Sequence, residues 1–177
     1  LIYHLEVPRR MLAEGGMPRF TDNIYAYFPQ GADQLLMLGL GVGGEAAARL
    51  FHGLFGLRAG LAIFGPPRPR AGARAAAFGT LAFLTAPTAL VIAGWAYVDL
   101  HFALYAFLAL VAVLRIVERR AAGEGALLWA CLAGIMAGTA WTGKYTGMQL
   151  TLLLLLLLLI DHLVGRRGRP PIEVFPL

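Results

Sequence analysis

Two charged residues beside apolar runs are of types that could do chemistry, Asp99 in the stretch WAYVDLHF and Lys144 in TGKYTG. A carboxylate beside a membrane-length apolar run is costly and usually faces a cavity, a partner or water. The alternative for Asp99 is a cap on the first turn of its helix, where a negative charge suits the helix dipole. His101 follows four residues after Tyr97 and four before Tyr105, which predicts a packing role on a shared helix face.

Lys144 is the only lysine among the 15 basic residues, and it lies between two glycines at the start of an apolar run. A lysine in this place would present a compact positive charge to a lipid phosphate at headgroup depth. The alternative is an ordinary membrane anchor, whose stem lies along the apolar surface while its ammonium group reaches water. Such anchors are commoner on the inner side of a membrane, so the phosphate-binding interpretation is favoured.

A third polar group lies within the first 31 residues, where polar side chains alternate with aromatic rings. The residues concerned are Tyr3, His4, Glu6, Asp22, Asn23, Tyr25, Tyr27 and Gln30. Rings can cover the apolar face of a pyranose and amides can bind its hydroxyls, so the pattern suits a sugar-binding surface. It suits a loop at a membrane interface equally well, and the spacing alone does not decide between the two.

Several other kinds of chemistry are excluded. The sequence contains no phosphate-binding glycine loop, zinc motif or nucleophile elbow, and GVGG at 41–44 predicts a helix break because no strand precedes it. His4 and Glu6 supply too few ligands for a metal site. The net charge of +5 comes largely from arginines clustered between apolar segments, which argues against nucleic acid as a partner. Cys131 lies alone in an apolar run and is predicted to be a buried, inert thiol.

The composition identifies the class of protein that must position these residues. The chain has 177 residues, of which 59% are hydrophobic and 14% charged, and its mean hydropathy is +0.69. A soluble domain averages roughly 45–50% apolar and about 25% charged residues, and one compact core of this size cannot hide so much apolar surface. The composition therefore predicts an all-α, polytopic transmembrane helical bundle, in which 22 glycines allow close helix packing.

The sequence divides into three regions. Residues 1–31 form an external segment with a short juxtamembrane helix that starts at Pro8 and stops at Gly15, residues 32–164 form the transmembrane bundle, and residues 165–177 begin a cytoplasmic loop. The apolar segment Ala32–Val42 is too short to cross a membrane, because a crossing needs about 20 residues. It is predicted to be either a half-helix or the leading part of a kinked span. About five spans are predicted, at Ala46–Phe64, Ala75–Ala93, Tyr97–Ile116, Ala126–Trp141 and Met148–Val164.

Arginine clusters predict the orientation of these spans. The clusters are Arg68, Arg70 and Arg74, then Arg115, Arg119 and Arg120, then Arg166, Arg167 and Arg169. Cytoplasmic loops carry an excess of positive charge, so the loops at 94–99 and 142–147 are expected outside, on the same face as the N-terminal segment. Trp95, Tyr97, Trp141 and Tyr145 then lie at this outer boundary, where amphipathic rings prefer to sit.

Short motifs follow one another along the chain as YHL, PRRMLAEG, NIYAYFPQGAD, a glycine-rich step into a span, YVDL and TGKYT. Their order resembles that of membrane glycosyltransferases of the GT-C class. It is most similar to bacterial relatives of the dolichyl-phosphate-mannose protein mannosyltransferases and of the lipid A aminoarabinose transferases. The resemblance covers nearly the whole chain, and the order of the motifs carries more weight than any one of them.

The resemblance implies a bacterial plasma-membrane enzyme that transfers a sugar from a polyprenyl-phosphate donor to the hydroxyl of a lipid, glycan or protein acceptor on the outer face. It matches Lys144 to the lysine that faces the donor phosphate. It matches Asp99 to an acidic position that would orient the acceptor, the base or a bound divalent cation. The expected substrate-binding residues, besides Lys144, are Tyr3, His4, Glu6, Asn23, Tyr25, Gln30, Tyr97 and Tyr145.

In this family the main catalytic carboxylate precedes the YH pair, so here it is expected before Leu1. The chain opens with Leu1 rather than Met, and we expect a fragment that lacks the first span and is inactive alone. One alternative is a transporter or flippase segment with a polar site near the membrane midplane. Another is a non-catalytic subunit in which neither Asp99 nor Lys144 faces a cavity. Both residues are predicted at outer helix ends, which favours the transferase.

Overall fold

The computed structural model describes residues 4–66 and 68–165, and the described part of the chain is helical. Its helices are α1 (Glu6–Glu14), α2 (Gly31–Phe64), α3 (Arg68–Thr85), α4 (Pro87–Ala93), α5 (Asp99–Ala121), α6 (Leu127–Gly143) and α7 (Thr146–Gly165), with a single 3₁₀ helix at Ile24–Tyr27 between α1 and α2. The prediction of an all-α membrane bundle is confirmed.

The bundle contains fewer unbroken spans than the five predicted. By length and composition, α2, α5 and α7 can cross a membrane, and the pair of α3 and α4 makes a fourth crossing if it is one bent span. The predicted crossing at Ala126–Trp141 corresponds to α6, which is apolar but has only 17 residues. At 1.5 Å per residue, α6 is about 26 Å long, somewhat less than the apolar thickness of a typical bilayer.

The predicted half-helix and the break after it are both confirmed within α2. Helical geometry fails at Gly43 and Gly44, where Gly44 has φ +64° and ψ −157°, a conformation essentially restricted to glycine. The chain then doubles back, because a Cβ at Gly39 would lie 2.7 Å from Cα of Ala48. In a straight helix these two residues would be about 13.5 Å apart. The first half of α2 therefore packs on the second half rather than extending it.

The prediction of one continuous span over Ala75–Ala93 is wrong. Helix α3 ends at Thr85, and α4 begins at Pro87 after a bend of 58°. The cause is Pro87, which has no N–H to donate and disfavours helical geometry in the residue before it. Ala86 accordingly takes the extended ψ of 126°.

Three smaller differences concern helix α1, Asp99 and the cysteine. Helix α1 ends as predicted at Gly15, with φ +66°, but begins at Glu6, so Pro8 stands inside the first turn, where a missing N–H costs little. Asp99 lies in the first turn of α5, where its negative charge suits the helix dipole as predicted, but its carboxylate accepts from Lys144 and caps no backbone N–H. Cys131 is exposed on α6 rather than buried.

Helices α5, α6 and α7 form the most extensive core of the bundle. Their buried contact is made largely by small side chains, among them Ala109 and Ala112 on α5 and Ala133 and Ala137 on α6. Alanine lets helix backbones approach closely, which is how helices associate when lipid surrounds them. This packing places the beginning of α5 beside the end of α6. We call that end of the bundle the site end.

Candidate functional site

A cavity of about 240 Å³ opens at the site end of the bundle. Its walls come from the start of α5, from the turn between α6 and α7, and from the N-terminal segment. Its lining residues are His4, Phe28, Pro29, Asp33, Tyr97, Val98, Asp99, Gly143, Lys144, Tyr145 and Thr146. Five of the residues singled out in the sequence, namely His4, Tyr97, Asp99, Lys144 and Tyr145, therefore share one cavity.

An ion pair between Lys144 and Asp99 dominates the charge of this cavity. Lys144 Nζ donates to Asp99 Oδ1 at 2.6 Å, and the two side chains are 41% and 30% exposed. The second carboxylate oxygen, Asp99 Oδ2, is buried and accepts no hydrogen bond. A cation that is partly open to the cavity thus stands beside an acceptor oxygen that has unused capacity.

Close backbone packing presents Lys144 in this position. Helix α6 ends at Gly143, and Lys144 takes an extended conformation with φ −160° and ψ 140°. A Cβ at Gly143 would lie 2.7 Å from Nδ1 of the buried His101, so only glycine fits there without movement. His101 in turn packs against the rings of Phe55 and Tyr105, at centroid distances of 5.1 and 4.8 Å, in agreement with its predicted packing role.

A second polar pair lines the opposite wall of the same cavity. His4 Nδ1 and Asp33 Oδ1 are 2.7 Å apart, and both side chains are buried. The ring of His4 also contacts that of Tyr97, with the centroids 4.9 Å apart. The sequence analysis missed Asp33, although a carboxylate within an otherwise apolar half-helix is the same signal that identified Asp99.

Aromatic rings form one edge of the cavity. The ring of Phe28 makes edge-to-face contacts with Tyr25 and with Tyr145, and both centroid distances are 5.2 Å. The three rings remain partly exposed. Phe28 and Tyr145 line the cavity, whereas Tyr25 contacts Phe28 from outside the lining. Phe28 is a second lining residue that was not predicted from the sequence.

The remaining N-terminal candidates are engaged in local structure instead of lining the cavity. Asn23 Oδ1 accepts from the backbone N–H of Tyr25 and caps the 3₁₀ helix, while Gln30 Nε2 donates to the carbonyl of Tyr25. Gln30 Oε1 is buried without a partner. Tyr3 lies outside the described residues.

Glu6 belongs to an exposed charge cluster on α1. Arg10 donates from Nε to Glu6 at 2.8 Å and from Nη1 to both oxygens of Asp22 at 3.0 and 2.9 Å. The hydrogen bond from Arg10 holds the pKa of the Asp22 carboxyl below its usual range, and the bonds to Glu6 and Asp22 raise the pKa of Arg10. This cluster joins α1 to the loop that follows it, and it is not part of the cavity lining.

The residue types in the cavity suit an anionic, hydroxylated ligand better than a metal ion. Within 4–66 and 68–165, no group of three or more His, Cys, Asp or Glu side chains could hold a metal ion. A divalent cation at Asp99 would have to draw ligands from elsewhere. Lys144 can approach a phosphate, Asp99 Oδ2 can accept a hydroxyl, and the aromatic edge can cover an apolar ring face.

A comparison with known proteins supports one family. The family model described as dolichyl-phosphate-mannose-protein mannosyltransferase matches residues 33–173, which is more than half of the chain. The matched range contains Asp33, Asp99 and Lys144, and it begins after His4. The chain matches none of the curated proteins and none of the solved structures.

Proposed function

Because this chain belongs to the dolichyl-phosphate-mannose-protein mannosyltransferase family, a family of membrane glycosyltransferases, we propose that its cavity holds the phosphate of a lipid-linked sugar donor at Lys144. The family uses lipid-phosphate sugars, and the chain is a multi-pass membrane protein. The observation that carries the proposal is the pairing of Lys144 with Asp99 in a cavity edged by aromatic rings.

The proposed reaction is a displacement at the anomeric carbon of the sugar. The acceptor hydroxyl attacks, its proton passes to a carboxylate base, and the lipid phosphate leaves with the bonding electrons. Negative charge grows on the leaving phosphate, and Lys144 offsets that charge in a partly desolvated cavity. Asp99 is proposed to orient the acceptor through its second carboxylate oxygen, Oδ2, which accepts no hydrogen bond.

The positions of the charged residues support a transferase over a transporter. Asp99 is the first residue of α5 and Lys144 directly follows α6, so both lie at helix ends. A transport site is expected nearer to the middle of the helices. A non-catalytic subunit would not require both residues to face one cavity, as they do here.

The first test is the substitution Asp99→Asn in the full-length protein, assayed in isolated membranes with a radiolabelled polyprenyl-phosphate sugar. We expect kcat to fall roughly 100-fold, since an acceptor that is misplaced by about 1 Å loses that much rate. The KM for the donor should stay constant or fall, because Lys144 then has no competing carboxylate. Normal kcat in Asp99→Asn, or a wild-type protein that never consumes the donor, would contradict the proposal.

We also propose that the site end faces outward from a bacterial plasma membrane, because the arginine cluster of Arg115, Arg119 and Arg120 lies at the other end of α5. Cys131 is the only cysteine within residues 1–177, so Cys131→Ser, combined with replacement of any cysteine outside this range, provides a cysteine-free background. In spheroplasts, an impermeant maleimide should label Glu14→Cys and should label Glu124→Cys only after permeabilisation. The reverse pattern would show that the site end faces the cytoplasm.

A further inference from the structure

His52 connects three helices through one buried side chain. It lies in the second half of α2 and is 1% exposed. Its Nδ1 is 3.0 Å from the carbonyl oxygen of Ile92, and the backbone N–H of Leu100 donates to its Nε2 at 3.2 Å. Because Nε2 accepts a hydrogen bond, the proton of the neutral ring is on Nδ1, which donates to Ile92.

The two backbone groups that His52 binds belong to helix ends on either side of one short link. Ile92 is near the end of α4, Leu100 is the second residue of α5, and residues 94–98 join them. The first N–H groups of a helix have no partner within the helix, and the N-cap residue Val98 provides no side-chain cap. The side chain of His52, on α2, therefore accepts a hydrogen bond from a backbone N–H that has no partner within α5.

Glycines on α2 bring its backbone close enough for the ring to reach both helix ends. A Cβ at Gly53 would lie 3.3 Å from the carbonyl oxygen of Ala93, and a Cβ at Gly56 would lie 3.0 Å from Leu100 Cδ1. Gly56 is four residues after His52 and so lies on the same face of the helix. The contact of α2 with the end of α4 and the start of α5 is thus close along about one turn of α2.

We propose that His52 is a positioning residue, which holds the first turn of α5 so that the Asp99 carboxylate meets Lys144. Asp99 directly precedes Leu100 in the chain, and the backbone N–H of Leu100 donates its hydrogen bond to His52. Displacement of this turn moves Asp99 relative to Lys144, which lies in the turn between α6 and α7. The proposal rests on the proposed function for the catalytic effect, but the positioning itself can be measured without catalysis.

The kinetic test compares His52→Ala, His52→Gln and His52→Asn in the full-length protein. A glutamine carbonyl reaches the position of Nε2 and can accept from Leu100, whereas an asparagine amide occupies the position of Nδ1 and can donate only to Ile92. We expect kcat to fall roughly 100-fold in His52→Ala, to recover largely in His52→Gln and to remain low in His52→Asn. The KM for the donor should change less than kcat. Equal activity of the Gln and Asn variants would overturn the proposal.

A double-substitution cycle separates positioning from general destabilisation. If His52 acts through Asp99, His52→Ala should add little to the defect of Asp99→Asn, since coupled residues are not additive. Multiplicative losses would overturn the proposal. If His52→Ala does not fold, as judged by thermal unfolding in detergent, the cycle uses His52→Asn. His162→Ala, an exposed histidine at the end of α7, is the matched control and should leave activity unchanged.

A cross-linking measurement distinguishes failure of this inference from failure of the proposed function. In the Cys131→Ser background, Asp99→Cys and Lys144→Cys should be joined rapidly by a short bifunctional maleimide. Adding His52→Ala should slow that cross-linking severalfold, and adding His162→Ala should not. If the protein transfers no sugar but cross-linking depends on His52, only the proposed function fails. If the cross-linking rate is independent of His52, the positioning role is refuted.

Discussion

Lys144→Ala should reduce sugar transfer by about 10²–10³-fold, the loss that follows removal of one group that stabilises transition-state charge. The effect is expected to exceed that of Asp99→Asn because, in the proposed reaction, Lys144 faces the donor phosphate, which is also the leaving group. In contrast to Asp99→Asn, this change should raise the KM for the donor as well as lower kcat.

The structure also predicts how well other cations can replace Lys144. Its ammonium group is a compact charge at 2.6 Å from Asp99 Oδ1. A guanidinium is planar and larger, and it pairs with carboxylates in a two-pronged geometry. Lys144→Arg should therefore change the KM for the donor little and lower kcat more. The substitution keeps a positive charge in the cavity but moves that charge away from the phosphate oxygens on which negative charge develops.

Steady-state transfer measured against donor concentration, in membranes with matched protein levels, tests this prediction. Arg19→Ala is the control, since Arg19 is an exposed cation of the N-terminal segment that does not line the cavity. It should leave both constants unchanged. If Lys144→Ala behaves like Arg19→Ala, Lys144 is an anchor and the phosphate assignment is wrong.

Gly147→Ala should be the most destabilising single methyl addition in the described part of the chain. A Cβ at Gly147 would lie 2.4 Å from Cα and 2.5 Å from the backbone nitrogen of Trp141. Backbone cannot rotate away as a side chain can, so α6 and α7 would have to separate at the turn that carries Lys144. We expect a loss of about 3 kcal/mol, seen as an apparent Tm roughly 6–12 °C lower for a chain of this size.

Gly138→Ala is the matched control for this experiment. Gly138 is an interior residue of α6, and a Cβ placed on it meets nothing within 4 Å. Alanine favours a helix over glycine by about 1 kcal/mol, so the apparent Tm should hold or rise slightly. Thermal unfolding of both variants in the same detergent makes the comparison. Similar Tm values for the two would show that the close approach at Gly147 is not required for folding.

Local sequence signals predicted most of the helices. Apolar runs located α5, α6 and α7 to within a few residues at most ends, and the glycines at 41–44 located the break in α2. The break at Pro87 was missed because the apolar run continues across it, although a proline within such a run is itself a signal for a helix break. Hydropathy averages over a window of residues, whereas a helix break depends on one residue.

The sequence predicted on which side of the membrane the site residues lie, but not which of them come into contact. Alternating spans place the two loops that hold Asp99 and Lys144 on one side, but an ion pair across 45 residues depends on helix packing that no local pattern encodes. His52 was missed for the same reason, since its partners lie on distant elements, whereas Asp33 was overlooked although a carboxylate in an apolar stretch is a local signal. Asn23 and Gln30 look like ligand-binding residues in sequence because amides that cap local turns are chemically the same as amides that bind a sugar.

The order in which the cavity walls are synthesised has a consequence for biogenesis. His4 and Asp33 leave the ribosome early, whereas Lys144, Tyr145 and Thr146 come more than a hundred residues later. The start of α2 also packs directly on the end of α6, where a Cβ at Gly31 would meet the side chain of Thr142. Until α6 has entered the membrane, the early residues face an incomplete wall and Asp99 has no cation beside it. Under the proposed function, a nascent chain arrested before that point has no complete phosphate site and does not engage lipid-linked sugar.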